Sequence, residues 1–155
     1  MTQKIQDPNG ISLKVGGIWG RRMKDSVAQW ALKVNDGVML ECFRNRPGIQ
    51  AFIGEHIGKF LLGAILVNEI ADNGELWAKI DGLIPELIKC QEADGYIGTY
   101  LPGNRWKGHF NDASGVTWDT WDVWVSKYCI MALTVYHKLR GGEDALNCAR
   151  GSAIY

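Results

Sequence analysis

Excess charge of either sign is absent from this chain of 155 residues: 17 Lys and Arg offset 17 Asp and Glu, giving a formal net charge of zero. A phosphate backbone or an anionic membrane surface is held by a basic face, so neither nucleic acid nor membrane is expected as a partner. Also absent is any apolar run near the roughly 18–20 residues that cross a bilayer. The longest is broken by Asn68 and Glu69. The opening MTQKIQDPNG has no apolar core segment, so no secretory signal is expected and the cytoplasm is favoured. Cys42, Cys90, Cys129 and Cys148 form no C-x-x-C pair and no cluster with His, which argues against a closed zinc site. Cys129 and Cys148 fall inside apolar helical patterns, where a free thiol acts as a small hydrophobe. Thiols without a disulfide framework favour a reducing compartment. Period-two alternation is nearly absent as well, which leaves little material for a sheet.

What remains is helix. Met23, Val27, Trp30, Ala31, Val34 and Val38 recur at helical spacing and predict one amphipathic helix from about Arg22 to Glu41. Pro47 and Gly48 break the chain between Arg44 and Phe52. Ile57 to Ile70 is apolar on almost every side, as in a helix buried all round, until Asn73-Gly74 stops it. Leu76, Ile80, Leu83, Ile84, Leu87 and Ile88 trace an amphipathic helix that contains Pro85. A polar, Gly-rich stretch runs from Asp94 to Thr117. Val123 to Leu139 is again apolar nearly all round, Gly141-Gly142 ends it, and Glu143 to Arg150 opens another helix.

A shift of 68 residues lays Lys59 on Lys127, Phe60 on Tyr128, Ala64 on Ala132, Val67 on Val135, Gly74 on Gly142 and Glu75 on Glu143. Each unit is an apolar helix, a Gly-marked turn and the start of an amphipathic helix. Inner helices lining a barrel and outer helices wrapping it produce this pattern, so the expectation is an all-α, partial (α/α) toroid in one domain over residues 1–155.

Between Thr117 and Tyr128 the chain reads TWDTWDVWVSKY. Trp118, Trp121 and Trp124 step by three, with Asp119 and Asp122 interleaved. Flat indole faces beside carboxylate acceptors suit a polyhydroxylated ligand, whose C–H face stacks while its hydroxyls donate. The same spacing also suits helix-packing tryptophans with aspartate N-caps. Glu55 and His56 precede the first inner helix, where they either face a ligand or, for Glu55, favour the helix N-terminus. Asp94-Gly95 is a turn signal. Lys59 and Lys127, just inside apolar helices, each need a partner, and Glu55 and Asp122 are the natural ones. His109 and His137 stand alone and are read as solvated.

The strings GEHIGKF (Gly54–Phe60), LIKCQEADGYIGTY (Leu87–Tyr100), Arg105-Trp106, WDVWVSKY (Trp121–Tyr128) and, upstream, GGIWGRRM (Gly16–Met23) resemble the N-terminal part of the catalytic domain of glycoside hydrolase family 127. These are the β-L-arabinofuranosidase-like proteins, and the match runs from about residue 14 to residue 150. The resemblance implies an (α/α) six-hairpin barrel followed by β-sandwich domains, with removal of L-arabinofuranose or related sugars under retention. It implies a cysteine thiolate nucleophile held near zinc by other cysteines and a glutamate, with a glutamic acid protonating the leaving oxygen. In the family those groups lie downstream of the WDVW-like segment, and the four cysteines here do not match them. No catalytic or metal residue is therefore expected in this chain, and zinc is expected only in a full-length member. The resemblance places His56, Gln91, Asp94, Trp118, Trp121, Asp122, Trp124 and Tyr128 at the sugar-facing wall; at Tyr128 some members carry a histidine. The expectation is a carbohydrate-binding, inactive barrel fragment that pairs with a second copy through open barrel edges. A non-catalytic carbohydrate module and a structural α/α interaction protein are the alternatives.

Overall fold

The computed structural model describes residues 14–47, 54–107, 110–111, 117–118 and 120–154. Among them are six α-helices: α1 (Gly17–Gln29), α2 (Asp36–Arg44), α3 (Glu55–Ala71), α4 (Gly74–Ile88), α5 (Asp122–Arg140) and α6 (Glu143–Ile154). A two-residue hairpin, β1 (Phe110–Asn111) and β2 (Thr117–Trp118), pairs antiparallel with Phe110 opposite Trp118. The helices form two rows. In one, α3 lies between α1 and α5; in the other, α4 lies between α2 and α6. This is a run of α/α hairpins, and the 68-residue repeat corresponds to α3–α4 and α5–α6.

The single helix expected over residues 22–41 is two helices. α1 ends at Gln29, a 3-10 turn covers Ala31–Lys33, and Asn35 starts α2 by accepting from the Val38 backbone N–H at 3.2 Å. That Asx cap satisfies a helix-start donor and overrides the continuing apolar period. The break adds a hairpin that the repeat does not announce.

The turn between α3 and α4 is tied by side chains. Asn68, 1% exposed, donates its amide to the Asn73 carbonyl and accepts from the Asn73 N–H, both at 2.9 Å. Asn73 in turn caps α4 at Leu76 N, and Asp72 takes the left-handed conformation between them. Pro85 is accommodated within α4.

The core lies between the rows: Ile57, Leu61 and Ile65 of α3; Ile80, Ile84 and Leu87 of α4; Val125, Cys129 and Leu133 of α5; and Cys148 and Ala149 of α6. The inner helices are not buried all round, contrary to the expectation from their all-round apolar sequence. Leu66 is 52% and Met131 44% exposed, on the side of their row turned away from the outer helices. Among the described residues no helix is long and apolar enough to cross a membrane.

α3 and α5 run parallel, since Gly54 abuts Val125 while Gly58 abuts Tyr128 and Cys129. At Gly58 the helices nearly touch. A Cβ there would fall 2.6 Å from the Tyr128 carbonyl carbon and 2.8 Å from the Cys129 nitrogen, both backbone atoms that cannot swing aside. We expect Gly58→Ala to lower stability by about 1–3 kcal/mol, the usual cost of overpacking, despite a gain of up to ~1 kcal/mol in helix propensity. Gly63, whose Cβ would meet nothing within 4 Å, serves as the opposite case. Gly63→Ala is expected to raise stability by about 0.5–1 kcal/mol. Urea denaturation of both variants checks the pair, and a Gly58→Ala protein as stable as wild type would disprove the close approach.

Candidate functional site

Parallel packing of α3 and α5 brings their first turns to one end of the molecule, and the sequence has loaded that end with aromatic and charged side chains. Trp121 caps α5 from outside the helix, Trp124 and Tyr128 follow along it, and Glu55, His56 and Lys59 rise from α3 beside them. Trp121 and Trp124 meet edge to face at 6.2 Å between centroids, and Trp124 and Tyr128 do so at 5.4 Å. The three rings form a ladder in which Trp121 is 47% and Trp124 38% exposed. These are not core tryptophans. Their spacing of three does not mark one helix face either: Trp118 belongs to β2, Trp121 precedes the helix, and only Trp124 lies within it. The Trp118 side chain lies outside the described residues, as do Asp119 and His109.

Charges surround the ladder. Glu55 pairs with Lys59 at 2.9 Å, one helical turn on, and accepts from the Trp124 indole N–H. Lys59 Nζ stands 5.3 Å from the Trp124 centroid and 4.9 Å from that of Tyr128. Lys127 covers the same two rings, at 3.7 and 4.4 Å. The expected Lys59–Glu55 pair is therefore present. The expected pairing of Asp122 with a lysine is not, because Asp122 is buried and committed elsewhere. His56 is exposed on the first turn of α3.

Asp122, 2% exposed, is the hinge between α5 and the 89–107 loop. One oxygen accepts from the Tyr96 hydroxyl at 2.6 Å and the other from the Trp106 backbone N–H at 2.9 Å. The Tyr96 hydroxyl accepts from Tyr100 N at 3.1 Å, and the Tyr100 hydroxyl accepts from Trp121 N at 3.2 Å. Burial, reinforced by the bond to Asp122, pushes the Tyr96 phenol far above its usual range, so it serves as a fixed donor. Behind Tyr96, Arg105 stacks at 3.7 Å from the ring centroid, and Arg105 and Arg46 both donate at 2.6 Å to one oxygen of Glu92. Arg46 also donates to the carbonyls of Cys90 and Gly98.

Gln91 and Asp94 do not reach the ladder through any of these bonds. The Gln91 amide bonds to the Gly95 carbonyl, the Cys148 carbonyl and the Ser152 hydroxyl, which fastens the turn to α6. Asp94 forms the turn itself by accepting from Tyr96 N at 3.0 Å, and its other oxygen lies 3.5 Å from Arg105. Sequence reasoning missed the Glu92–Arg46–Arg105 network. Arg105-Trp106 was a visible motif, but its carboxylate partners and Arg46 sit elsewhere in the chain, without a local spacing to connect them.

Three of the four thiols, Cys90, Cys129 and Cys148, are unsuited to nucleophilic work. Burial raises Cys90, lifts Cys148 to about 11 and pushes Cys129 still higher, the opposite of what activates a thiolate. Among the described residues no group of three or more His, Cys, Asp and Glu side chains could hold a metal ion.

These features define a slice of an α/α-hairpin barrel whose helix N-termini present an aromatic wall. Residues 24–155 match the GH127 catalytic domain family described as beta-L-arabinofuranosidase, and the chain belongs to that family of glycoside hydrolases. Its fold is similar to that of a GH127 beta-L-arabinofuranosidase from Geobacillus stearothermophilus. The TM-score is 0.69 at 20% identity, over 94% of this chain and 25% of that one. The chain therefore spans about a quarter of the length of that protein. None of the curated proteins compared with it matches.

The latch at Asp122 yields a direct test. Tyr96→Phe deletes a buried donor and leaves the Asp122 oxygen unsatisfied. We expect a loss of about 1–3 kcal/mol, typical of an orphaned buried polar group, read from urea denaturation. A loss within error of zero would show that the hydroxyl bond does not hold the loop.

Proposed function

We propose that the Trp121–Trp124–Tyr128 ladder, with His56 beside it, is one wall of a carbohydrate site that accepts L-arabinofuranose-type sugars. Asp122, Gln91 and Asp94 contribute by fixing the loop that frames the wall. The observation that carries this reading is the exposure of Trp121 and Trp124 at the mouth formed by two parallel helices. Large aromatic faces held open by an interlocked polar scaffold are suited to stacking on a sugar ring. Family membership supports L-arabinofuranose-type sugars as the substrate class.

The chain by itself is expected to bind and not to cleave, because burial raises the pKa of the Cys90, Cys129 and Cys148 thiols, leaving them poorly suited to the family's thiolate chemistry. Trp121→Ala and Trp124→Ala are each expected to weaken binding of an arabino-oligosaccharide by about 0.5–1.5 kcal/mol, roughly two- to tenfold. For Trp121 the melting temperature should hold nearly constant, because the ring is half exposed. Calorimetric titration alongside thermal melts checks this. Unchanged affinity in both variants would remove the ladder from the site, and turnover of a nitrophenyl β-L-arabinofuranoside would remove the inactivity.

Self-association belongs to the same proposal. Val123 is 73% exposed, and with Met131 it lies on α5, the terminal helix of its row. Leu66 and Ile70 add to the open apolar face on α3. A second copy is the simplest closed cover for such a face. Light scattering is expected to show a dimer at micromolar concentration, and Met131→Glu is expected to shift it to monomer. A monomer at every concentration would refute this.

A further inference from the structure

We propose that the ligand stacked on this wall carries an anionic group, a carboxylate such as that of a uronic acid unit, and that Lys127 receives it. The inference rests on the sugar-binding reading above and names a chemical requirement beyond it. Two ammonium groups, Lys59 and Lys127, share the faces of Trp124 and Tyr128, and one carboxylate, Glu55, stands among them. That carboxylate is occupied by Lys59 at 2.9 Å and by the Trp124 indole. Asp122, five residues before Lys127 on the same helix, is buried with its two oxygens accepting from Tyr96 and Trp106. Lys127 is thus an exposed ammonium held over two rings, and among the described residues the carboxylates Glu55 and Asp122 are engaged elsewhere.

A neutral furanose gives such a group little to do beyond donating one weak hydrogen bond to a sugar oxygen. A carboxylate on a neighbouring sugar unit would meet an ammonium already positioned by the rings, so little side-chain freedom is lost on binding. The net positive charge of the wall, two ammonium groups against one carboxylate, also favours approach of an acidic chain over a neutral one. Acidic, pectin-like oligosaccharides that carry arabinose are the class of ligand this fits.

The test uses one arabino-oligosaccharide bearing a single galacturonate, and the same oligosaccharide with that carboxylate methyl-esterified, titrated calorimetrically into the full chain. At about 20 mM salt the acid is expected to bind about fivefold or more tighter than its ester, and the advantage should shrink toward unity at about 500 mM salt. In Lys127→Met the ratio of the two affinities should fall to about one, and Lys127→Arg, which keeps the charge, should restore much of it. Equal binding of acid and ester to the wild type, both weakened by Trp124→Ala, would overturn the anionic requirement and leave the sugar wall standing. A preference for the acid that survives in Lys127→Met would overturn the role of Lys127. Failure of both compounds to bind would end the sugar reading and this inference with it.

Discussion

The close approach of α3 and α5 at Gly58 sets the position of everything above it. With no side chain at that point, the α3 backbone lies against the Tyr128–Cys129 peptide. Because the contact is near the first turns, it brings Glu55 within reach of Trp124 and stands Lys59 over Tyr128. A wider crossing would separate the charged groups of one helix from the rings of the other. The same contact is what makes the helices parallel neighbours in a row, and the row is what turns one face of each toward the barrel's open side.

On that frame the 89–107 loop is held by electrostatics in layers. Asp122 takes two donors from the loop, Tyr96 relays to Tyr100, and Tyr100 reaches the Trp121 backbone. Outside them, two guanidiniums converge on Glu92. Burying a carboxylate or an arginine is costly unless its hydrogen bonds are met, and here each buried member has named partners. The outcome is a rigid seat for the ladder.

Much of this was legible in the sequence. Apolar runs at Ile57–Ile70 and Val123–Leu139 signalled inner helices, and Asn73-Gly74 and Gly141-Gly142 signalled their ends. Those signals are local, so spacing and turn chemistry were enough. The split at Trp30–Asn35 escaped because apolar residues continue in helical register across it, while one Asn side chain decides the break. At the candidate site, Trp/Asp interleaving pointed to this segment but not to how its side chains divide between surface and interior. Whether Asp122 faces a ligand or the interior depends on Tyr96 and Trp106, which lie far upstream. Gln91 is bound to α6 through partners still further along the chain. Nothing in the spacing of TWDTWDVW could reveal that Asp122 turns inward while Trp121 and Trp124 stay out.

The unequal connections between helices carry a consequence for how such a chain can vary. α3 joins α4, and α5 joins α6, through turns of two residues tied by Asn68 or shaped by paired glycines. Any insertion there would change the register of one helix against its partner. The connection from α4 to α5 is long, and its ends are already fastened by the Gln91 and Asp122 bonds. Each doubling of a flexible loop costs only about 0.6 kcal/mol of closure entropy. A change of length between Trp106 and Trp121 leaves the bonds of Gln91, Tyr96, Arg105 and Asp122 in place, so that stretch of the rim beside the ladder is where the chain can diversify while the hairpins stay fixed in length.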